Sequence, residues 1–156
     1  MSLSIGDTVP DFKLYDTERK ERSLKEFLGG KTVLAFYPGA FTGVCTKEVC
    51  RLRDSLAVFN SLKATVVGIS VDSPFANKGF ADVNKLGFPL LSDFDRKVSK
   101  QLSGLYDGFG FVPGYTASKR SVFVLDGGGV VRYAWVTENP GEEPPYEEIE
   151  RALRSF

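Results

Sequence analysis

Cysteines are rare in this chain of 156 residues, and both lie in one short segment, at Cys45 and Cys50. The chain has no histidine. The thiolate is the reactive form of a cysteine, and it forms when the surroundings lower a thiol pKa that is normally about 8.5. Because no histidine can pair with the sulfur, a helix N-terminus or a cationic side chain must stabilise the thiolate. The two cysteines are therefore candidate nucleophiles or a candidate redox pair.

The residues before Cys45 predict that it lies near the start of a helix. Pro38 and Gly39 end an apolar run of strand length, and helical spacing follows from about Thr42. With Thr42 as N-cap, Cys45 is the third helical residue, where unpaired N–H groups and the helix dipole favour an anion. Thr42 lies on the same face, so its hydroxyl is a candidate donor to the sulfur or to a bound substrate. Pro38 has no N–H and stiffens the turn, which would shield the sulfur from water.

The composition is that of an ordinary globular protein, and we predict one domain over residues 1–156. Lysine plus arginine balance aspartate plus glutamate at 20 each, so we expect no binding to nucleic acid or to an acidic membrane. No apolar run approaches the ~20 residues of a membrane span, and the amino terminus lacks a targeting pattern. We therefore expect a cytoplasmic protein, in which cysteines are more often free or redox-active than structural.

The predicted elements alternate between strands and helices. Strands are predicted at residues 12–15, 32–37, 65–70, 90–91, 121–125 and 130–135, and helices from about 42 to 62, 73 to 86, 96 to 102 and from near 145, with a short helix capped by Ser23. The last two strands are joined by a glycine-rich hairpin. This order predicts an α/β fold with a mixed central sheet and helices on both faces, although periodicity alone leaves several such folds open.

The run Phe36-Tyr37-Pro38-Gly39-Ala40-Phe41-Thr42-Gly43-Val44-Cys45 resembles the active-site segment of the peroxiredoxins, Pro-x-x-x-Thr-x-x-Cys after a hydrophobic strand. Residues 10–12, 87–93 and 120–126 fall where that family has similar segments, and in the same order. The resemblance implies a thioredoxin-like fold. It also implies a thiol peroxidase, without metal or organic cofactor, in which Cys45 reduces hydrogen peroxide and small organic hydroperoxides.

The resemblance adds two charged residues to the candidate site. It places Arg120 against the sulfur of Cys45, where a guanidinium would stabilise the thiolate and the charge on the departing oxygen. Glu48 matches another position of the family pattern and is expected to orient Arg120. The candidate catalytic residues are thus Cys45, Thr42, Pro38, Arg120, Cys50 and Glu48.

The spacing of the two cysteines bears on the mechanism. In an intact helix, Cα atoms five residues apart are about 8.7 Å apart, whereas a disulfide needs about 4.4–6.8 Å. The spacing resembles that of the Q-type peroxiredoxins, also called bacterioferritin-comigratory proteins, which implies that Cys50 resolves the oxidised Cys45 through a disulfide after partial unwinding. The residues around Thr42 and the strand after Arg120 resemble instead the E-type, one-cysteine alkyl hydroperoxide reductases, in which an external thiol does so. We favour the resolving role for Cys50.

The resemblance also implies partners, namely a thioredoxin-like or glutaredoxin-like reductant and a second copy of the chain in a homodimer.

Three other functions compete with a peroxidase. Disulfide exchange normally uses Cys-x-x-Cys, which the chain lacks. A closed zinc site needs more cysteine and histidine ligands than this chain has. A peroxide-sensing redox binding protein remains open, because it would use the same Cys45.

Overall fold

The structure is a computed structural model that describes residues 2–156. The strands are β1 Lys13–Asp16, β2 Glu21–Ser23, β3 Lys31–Phe36, β4 Ala64–Ser70, β5 Leu90–Ser92, β6 Leu105–Tyr106, β7 Ala117–Ser118, β8 Ser121–Leu125 and β9 Val131–Val136. Seven of them form a central sheet in the order β2-β1-β5-β4-β3-β8-β9. Strands β3, β4 and β5 run parallel, while β8 pairs antiparallel with β3, so the sheet is mixed as predicted.

Helices surround the sheet. The α-helices are α1 Gly43–Asp54, α2 Leu56–Ser61, α3 Pro74–Asn84, α4 Lys97–Leu102 and α5 Tyr146–Arg154, and 3₁₀ helices cover Leu24–Phe27 and Phe109–Phe111. Within the described residues, no helix is long and apolar enough to cross a membrane.

Strand β3 shows how the sheet separates two apolar cores. Val33 and Ala35 face the core formed with α1, α2, α3 and α5, whereas Leu34 and Phe36 face the core formed with the 3₁₀ helix at 24–27 and with α4. Successive side chains of a strand point to opposite faces, so a strand buried on both faces is apolar throughout. The predicted placement of helices on both faces of the sheet is therefore confirmed.

The single helix predicted over about residues 42–62 is wrong in one respect. The structure has two helices, because Ser55 leaves helical geometry at φ −92° and ψ 1°. Its amide N–H contacts the carbonyls of both Arg51 and Leu52, as in the last turn of a helix. The apolar spacing of Leu52, Leu56 and Phe59 continues through the break, and the sequence pattern therefore hides it.

The sequence pattern predicts no helix or strand between α4 and β8. It forms a small sheet of β6 and β7, and the loop between these strands contains the 3₁₀ helix at 109–111. Gly108, Gly110 and Phe111 have positive φ in this loop. The loop places Phe109 and Phe111 beside the start of α1, where they line one wall of a cleft.

A buried polar cluster joins α3 to the ends of β3, β4 and β5. Asn77 accepts a hydrogen bond from the Tyr37 hydroxyl at 2.7 Å and donates to the hydroxyls of Ser70 and Ser92, each at 3.1 Å. Asp72 accepts from the Ser70 hydroxyl and from the amide of Ala40, each at 2.8 Å. The cluster thereby fixes the loop that connects β3 to α1.

We expect Asn77→Ala to lower the free energy of unfolding by about 2–3 kcal/mol, because it leaves buried hydroxyls without partners. Urea denaturation would measure the change. The matched control is Asn60→Ala on the exposed surface of α2, for which a change within about 0.5 kcal/mol is expected. Equal stability of the two variants would contradict the structural role of the cluster.

Candidate active site

Cys45 lies in the first turn of α1, directly after the loop that follows β3. Helix α1 begins at Gly43, so Cys45 is the third helical residue, as predicted. Its side chain is fully buried in the core between the sheet and the helices. Pro38, also buried, lies in the connecting loop at the end of β3. The sulfur therefore belongs to a residue that lies in the N-terminal turn of α1 and has no exposed surface.

Thr42 occupies the N-cap position of α1 with extended backbone angles, as predicted. Its side chain makes no capping hydrogen bond; instead, the hydroxyl donates to the carbonyl of Gly39 at 2.8 Å. The carbonyl of Thr42 accepts from the hydroxyl of Thr46 at 2.8 Å. Thr42 thus stabilises the loop of residues 39–42 and lines the cleft above Cys45.

Arg120 is brought to Cys45 by the pairing of two strands. It precedes β8, whose first residue, Ser121, pairs with Phe36 at the end of β3. The guanidinium is almost entirely buried, with 1% of the residue exposed. Its Nη2 donates to the Sγ of Cys45 at 3.3 Å. A cation held this close to the sulfur favours the thiolate over the neutral thiol.

Glu48 faces the same guanidinium from the next turn of α1. Its Oε1 accepts from Arg120 Nη1 at 2.7 Å, and both side chains are buried. Its Oε2 has no hydrogen-bond partner among the described residues. Burial raises the pKa of the Glu48 carboxyl to about 7, although the charge of Arg120 opposes this shift. Burial and the charge of Arg120 thus act on this carboxyl in opposite directions, and Arg120 compensates in part for the water that Glu48 has lost.

The pKa of Cys45 differs from the expectation that the site lowers it. Burial raises the pKa of this thiol above its ordinary value, and the nearby carboxyl of Glu48 acts in the same direction. The charge of Arg120 lowers the pKa but does not outweigh the loss of water. A sequence pattern can identify the cation and the helix terminus, but it does not reveal how completely the fold excludes water from the sulfur.

A cleft of about 700 Å³ lies at the N-terminus of α1, where Thr42 and Gly43 line it. Its walls are mainly apolar or aromatic and include Val44, Tyr106, Phe109 and Phe111. Arg120 lines the cleft as well, so the guanidinium lies between this space and the core. The cleft is large enough for a small organic molecule whose polar end would meet Arg120.

Cys50 lies on the same continuous helix as Cys45, and both thiols are free. The Cys50 side chain is half-buried, and its Sγ donates to the Oδ1 of Asn84 at 3.4 Å. Arg53 Nη1 donates to the carbonyl of Asn84 at 2.7 Å. These contacts hold the middle of α1 against the end of α3, so the structure does not bring Cys50 to Cys45.

Three neighbours of Arg120 were not found from the sequence. Arg120 Nη2 and Nε donate to the carbonyl of Pro140 at 2.8 and 3.3 Å. The Arg120 amide donates to the Tyr106 hydroxyl at 3.2 Å, and the Arg120 carbonyl accepts from the Thr137 amide at 3.1 Å. Most of these contacts involve backbone atoms, and the sequence carries little signal for a backbone carbonyl beyond the turn residues around Pro140.

The described residues contain no group of three or more His, Cys, Asp or Glu side chains placed to hold a metal ion. The reactive groups that the structure brings together are a thiol, a guanidinium and a carboxyl at one helix N-terminus. This set supplies a nucleophile and a fixed positive charge, which suits attack by sulfur on a substrate that releases an anionic oxygen.

Comparison with known proteins agrees with this arrangement. The chain is 44% identical over 130 residues to a chloroplastic peroxiredoxin Q from Sedum lineare, a match that covers 83% of this chain and 67% of that protein. It is 36% identical over 135 residues to a putative peroxiredoxin bcp from Coxiella burnetii, covering 86% of this chain and 89% of the relative. The chain spans between 57% and 67% of the length of the chloroplastic relatives it matches.

A solved structure and a family model extend the comparison. Peroxidoxin BcpB from Mycobacterium tuberculosis superposes with a TM-score of 0.85 at 35% identity, covering 97% of each chain. This likeness confirms the expected thioredoxin-like peroxiredoxin fold. The family model described as AhpC/TSA family matches residues 5–134, which include Cys45, Glu48 and Arg120. The chain therefore belongs to the AhpC/TSA family, with relatives named as peroxiredoxins of the Q or bacterioferritin-comigratory type.

Proposed function

We propose that this chain is a thiol peroxidase that reduces hydrogen peroxide and small organic hydroperoxides at Cys45. The observation that carries the proposal is the placement of Arg120 Nη2 at 3.3 Å from Cys45 Sγ, at the N-terminus of α1. The names of the relatives, peroxiredoxin Q and bcp, support the same reaction.

In the first step the Cys45 thiolate attacks the terminal oxygen of the hydroperoxide. A sulfur–oxygen bond forms and the oxygen–oxygen bond breaks, so the sulfur loses two electrons and the peroxide gains them. The leaving group is hydroxide or an alkoxide, which takes up a proton to give water or an alcohol. Arg120 lies beside the sulfur and would stabilise the negative charge as it moves from the sulfur to the departing oxygen. Cys45 is left as a sulfenic acid.

Thr42 and Pro38 contribute to this step by shaping the space above the sulfur. Thr42 lines the cleft through which the peroxide would enter, and its hydroxyl is anchored on Gly39. Pro38 is buried in the same loop and keeps an additional N–H out of the site. Glu48 holds Arg120 from the side away from the cleft. We assign substrate positioning to Thr42, exclusion of water to Pro38 and orientation of Arg120 to Glu48.

The second step in our proposal uses Cys50. Its thiol attacks the sulfur of the Cys45 sulfenic acid, a disulfide forms and water leaves. The two residues share one helix, so α1 must unwind between them before the sulfurs can meet. Resolution by an external thiol is the competing mechanism, and the contact of Cys50 with Asn84 in the intact helix favours it.

An external dithiol completes the cycle by giving two electrons to the oxidised protein. We propose a thioredoxin-like or glutaredoxin-like reductant and a cytoplasmic setting, since a reducing compartment keeps both thiols reduced between turnovers. A homodimer and a single domain over residues 1–156 belong to the same proposal and rest on family membership.

Replacing the proposed nucleophile should abolish the reaction. We expect Cys45→Ser to consume no peroxide above the buffer rate, because a serine hydroxyl does not accept an oxygen atom from a peroxide. Cys50→Ser is the matched control and should still consume one equivalent of peroxide per chain. Peroxide consumption by Cys45→Ser at the wild-type rate would overturn the proposed function.

Sustained turnover of the wild-type protein with thioredoxin and its reductase would separate a peroxidase from a peroxide sensor.

The fate of Cys50 can be determined by mass spectrometry after one equivalent of hydrogen peroxide, with thiol alkylation and no reductant. We expect a chain that is not covalently linked to another chain, has lost two hydrogen atoms and has no thiol left to alkylate, which indicates a Cys45–Cys50 disulfide. Asn84→Ala should speed formation of this disulfide, because it frees the Cys50 thiol from its acceptor. A sulfenic acid at Cys45 with Cys50 still alkylatable would instead establish a one-cysteine mechanism.

Removing the guanidinium should affect both the thiol and the rate. The charge of Arg120 lowers the pKa of Cys45, so Arg120→Ala should raise that pKa further and move thiol ionisation to higher pH. We also expect peroxide reduction to slow about 100-fold, the usual effect of losing one stabilising donor.

The double variant Arg120→Ala/Glu48→Gln avoids leaving a buried carboxylate unpaired and should behave like Arg120→Ala. Arg132→Ala on β9, where the side chain pairs with Asp126 at the surface, is the matched control and should leave rate and pKa unchanged. A wild-type rate in both Arg120 variants would show that Arg120 has only a structural role.

A further inference from the structure

The guanidinium of Arg120 is held along two of its edges. Glu48 Oε1 accepts from Nη1 at 2.7 Å on one side. On the other side, one oxygen, the Pro140 carbonyl, accepts from both Nη2 at 2.8 Å and Nε at 3.3 Å. A planar guanidinium carries five N–H groups in a fixed arrangement, so two anchors on different edges determine both its position and its plane.

This double anchoring decides where the remaining Nη2 hydrogen points. Nη2 has two hydrogens, of which one is directed to the Pro140 carbonyl and the other to Cys45 Sγ at 3.3 Å. With Glu48 as its only anchor, the group could pivot about the Nη1 contact and move Nη2 away from the sulfur. The Pro140 carbonyl prevents that rotation, and the distance between Nη2 and Sγ therefore depends on the position of this carbonyl.

The Pro140 carbonyl is itself held by a turn of residues 137–141, which we call the arginine turn. The Thr137 hydroxyl accepts from the Asn139 amide at 3.1 Å and donates to the Asn139 carbonyl at 3.3 Å. The side-chain oxygen of Asn139 accepts from the Gly141 amide at 2.9 Å. The chain on both sides of Pro140 is thereby fixed by two side chains of the turn.

The arginine turn is also fastened to the backbone of Arg120. The Thr137 amide donates to the Arg120 carbonyl at 3.1 Å, and the Tyr106 hydroxyl donates to the Thr137 carbonyl at 2.7 Å while accepting from the Arg120 amide. Thr137 is buried, with 6% exposed, although it follows the end of β9. Thr137 therefore helps to hold both the backbone of Arg120 and, through the arginine turn, its guanidinium.

We propose that the arginine turn is a positioning element for the reaction at Cys45, and that Thr137 is the residue through whose hydroxyl it acts. Thr137 acts indirectly. Its hydroxyl holds the backbone of Asn139, which fixes the position of the neighbouring Pro140 carbonyl, and that carbonyl directs Arg120 Nη2 to Cys45. The effect on peroxide rate rests on the function proposed above, whereas the effect on the Cys45 thiol does not.

The test replaces the hydroxyl of Thr137 by a methyl group in the full chain. Thr137→Val should raise the pKa of Cys45 by about one unit, so that the thiolate fraction of Cys45 at a pH below that pKa falls about tenfold. The ultraviolet absorbance of the thiolate at a series of pH values, in a Cys50→Ser background that leaves Cys45 as the single thiol, measures this without a reagent having to reach the buried sulfur. Thr137→Ser keeps the hydroxyl and should restore the wild-type profile.

The matched control is Thr32→Val. Thr32 is also buried, and its hydroxyl donates to the Phe27 carbonyl at 2.6 Å, but it lies near the opposite end of β3 from the site. We expect a similar loss of melting temperature for Thr32→Val and no shift in the Cys45 profile. An equal shift in both threonine variants would show a general effect of lost stability and would overturn the positioning role.

A second variant keeps the test decisive if Thr137→Val does not fold. Asn139→Ala removes an exposed side chain that holds the turn through the Gly141 amide, and it should shift the Cys45 profile in the same direction by a smaller amount. Asn60→Ala is its matched surface control. An unchanged Cys45 profile in Asn139→Ala and in any folded Thr137→Val would overturn the inference.

These outcomes are separate from those of the proposed function. Peroxide consumption by Cys45→Ser at the wild-type rate would remove the peroxidase assignment and leave a shifted thiol profile in Thr137→Val as evidence for positioning. Loss of activity in Cys45→Ser with an unchanged thiol profile in Thr137→Val would support the peroxidase assignment and overturn the positioning role of Thr137.

Discussion

A positive charge enclosed within a protein must be surrounded by acceptors, because removing it from water is costly unless other groups replace the water. Arg120 imposes that condition here, since only 1% of the residue is exposed. Its acceptors come from two distant segments: Cys45 and Glu48 from α1, and the Pro140 carbonyl from the turn after β9. The guanidinium therefore holds these segments together, and the geometry around the sulfur follows from meeting its hydrogen-bonding needs.

The sheet makes this meeting possible. The carboxyl end of β3 leads into the loop before α1, and β8 runs antiparallel beside β3 so that its first residue lies at the same edge. Arg120, the residue before β8, is thus delivered to the N-terminus of α1 although it is 75 residues from Cys45 in the chain. The polar cluster around Asn77 and Asp72 fixes the loop between β3 and α1. Strand pairing brings Arg120 close to Cys45, and buried hydrogen bonds then fix the distances between the side chains of the site.

The sequence predicted those features that depend on local pattern. The buried strands, the N-cap of α1 at Thr42 and the position of Cys45 in its first turn follow from apolar runs, a capping residue and a proline. The break at Ser55 was missed because the apolar spacing continues through it. Resemblance to a family placed Arg120 and Glu48 near the sulfur, which spacing alone would not have done. The contact of the Pro140 carbonyl with Arg120 and the complete burial of Cys45 depend on tertiary packing, so no residue type in the sequence predicts them.

The first turns of helix α1 have two roles that require different conformations. While intact, the helix keeps Cys45 in its N-terminal turn beside Arg120 and keeps Cys50 too far away for a disulfide. The disulfide proposed above would require helical geometry to be lost between Cys45 and Cys50, and movement of Cys45 would break its contact with Arg120. The first turns are held by Arg120, which contacts Cys45 and Glu48, although Gly43 is exposed and the Thr42 side chain makes no capping bond. The middle of the helix is held by Asn84, through Cys50 and Arg53. Both sets of contacts must therefore break before the two sulfurs can meet.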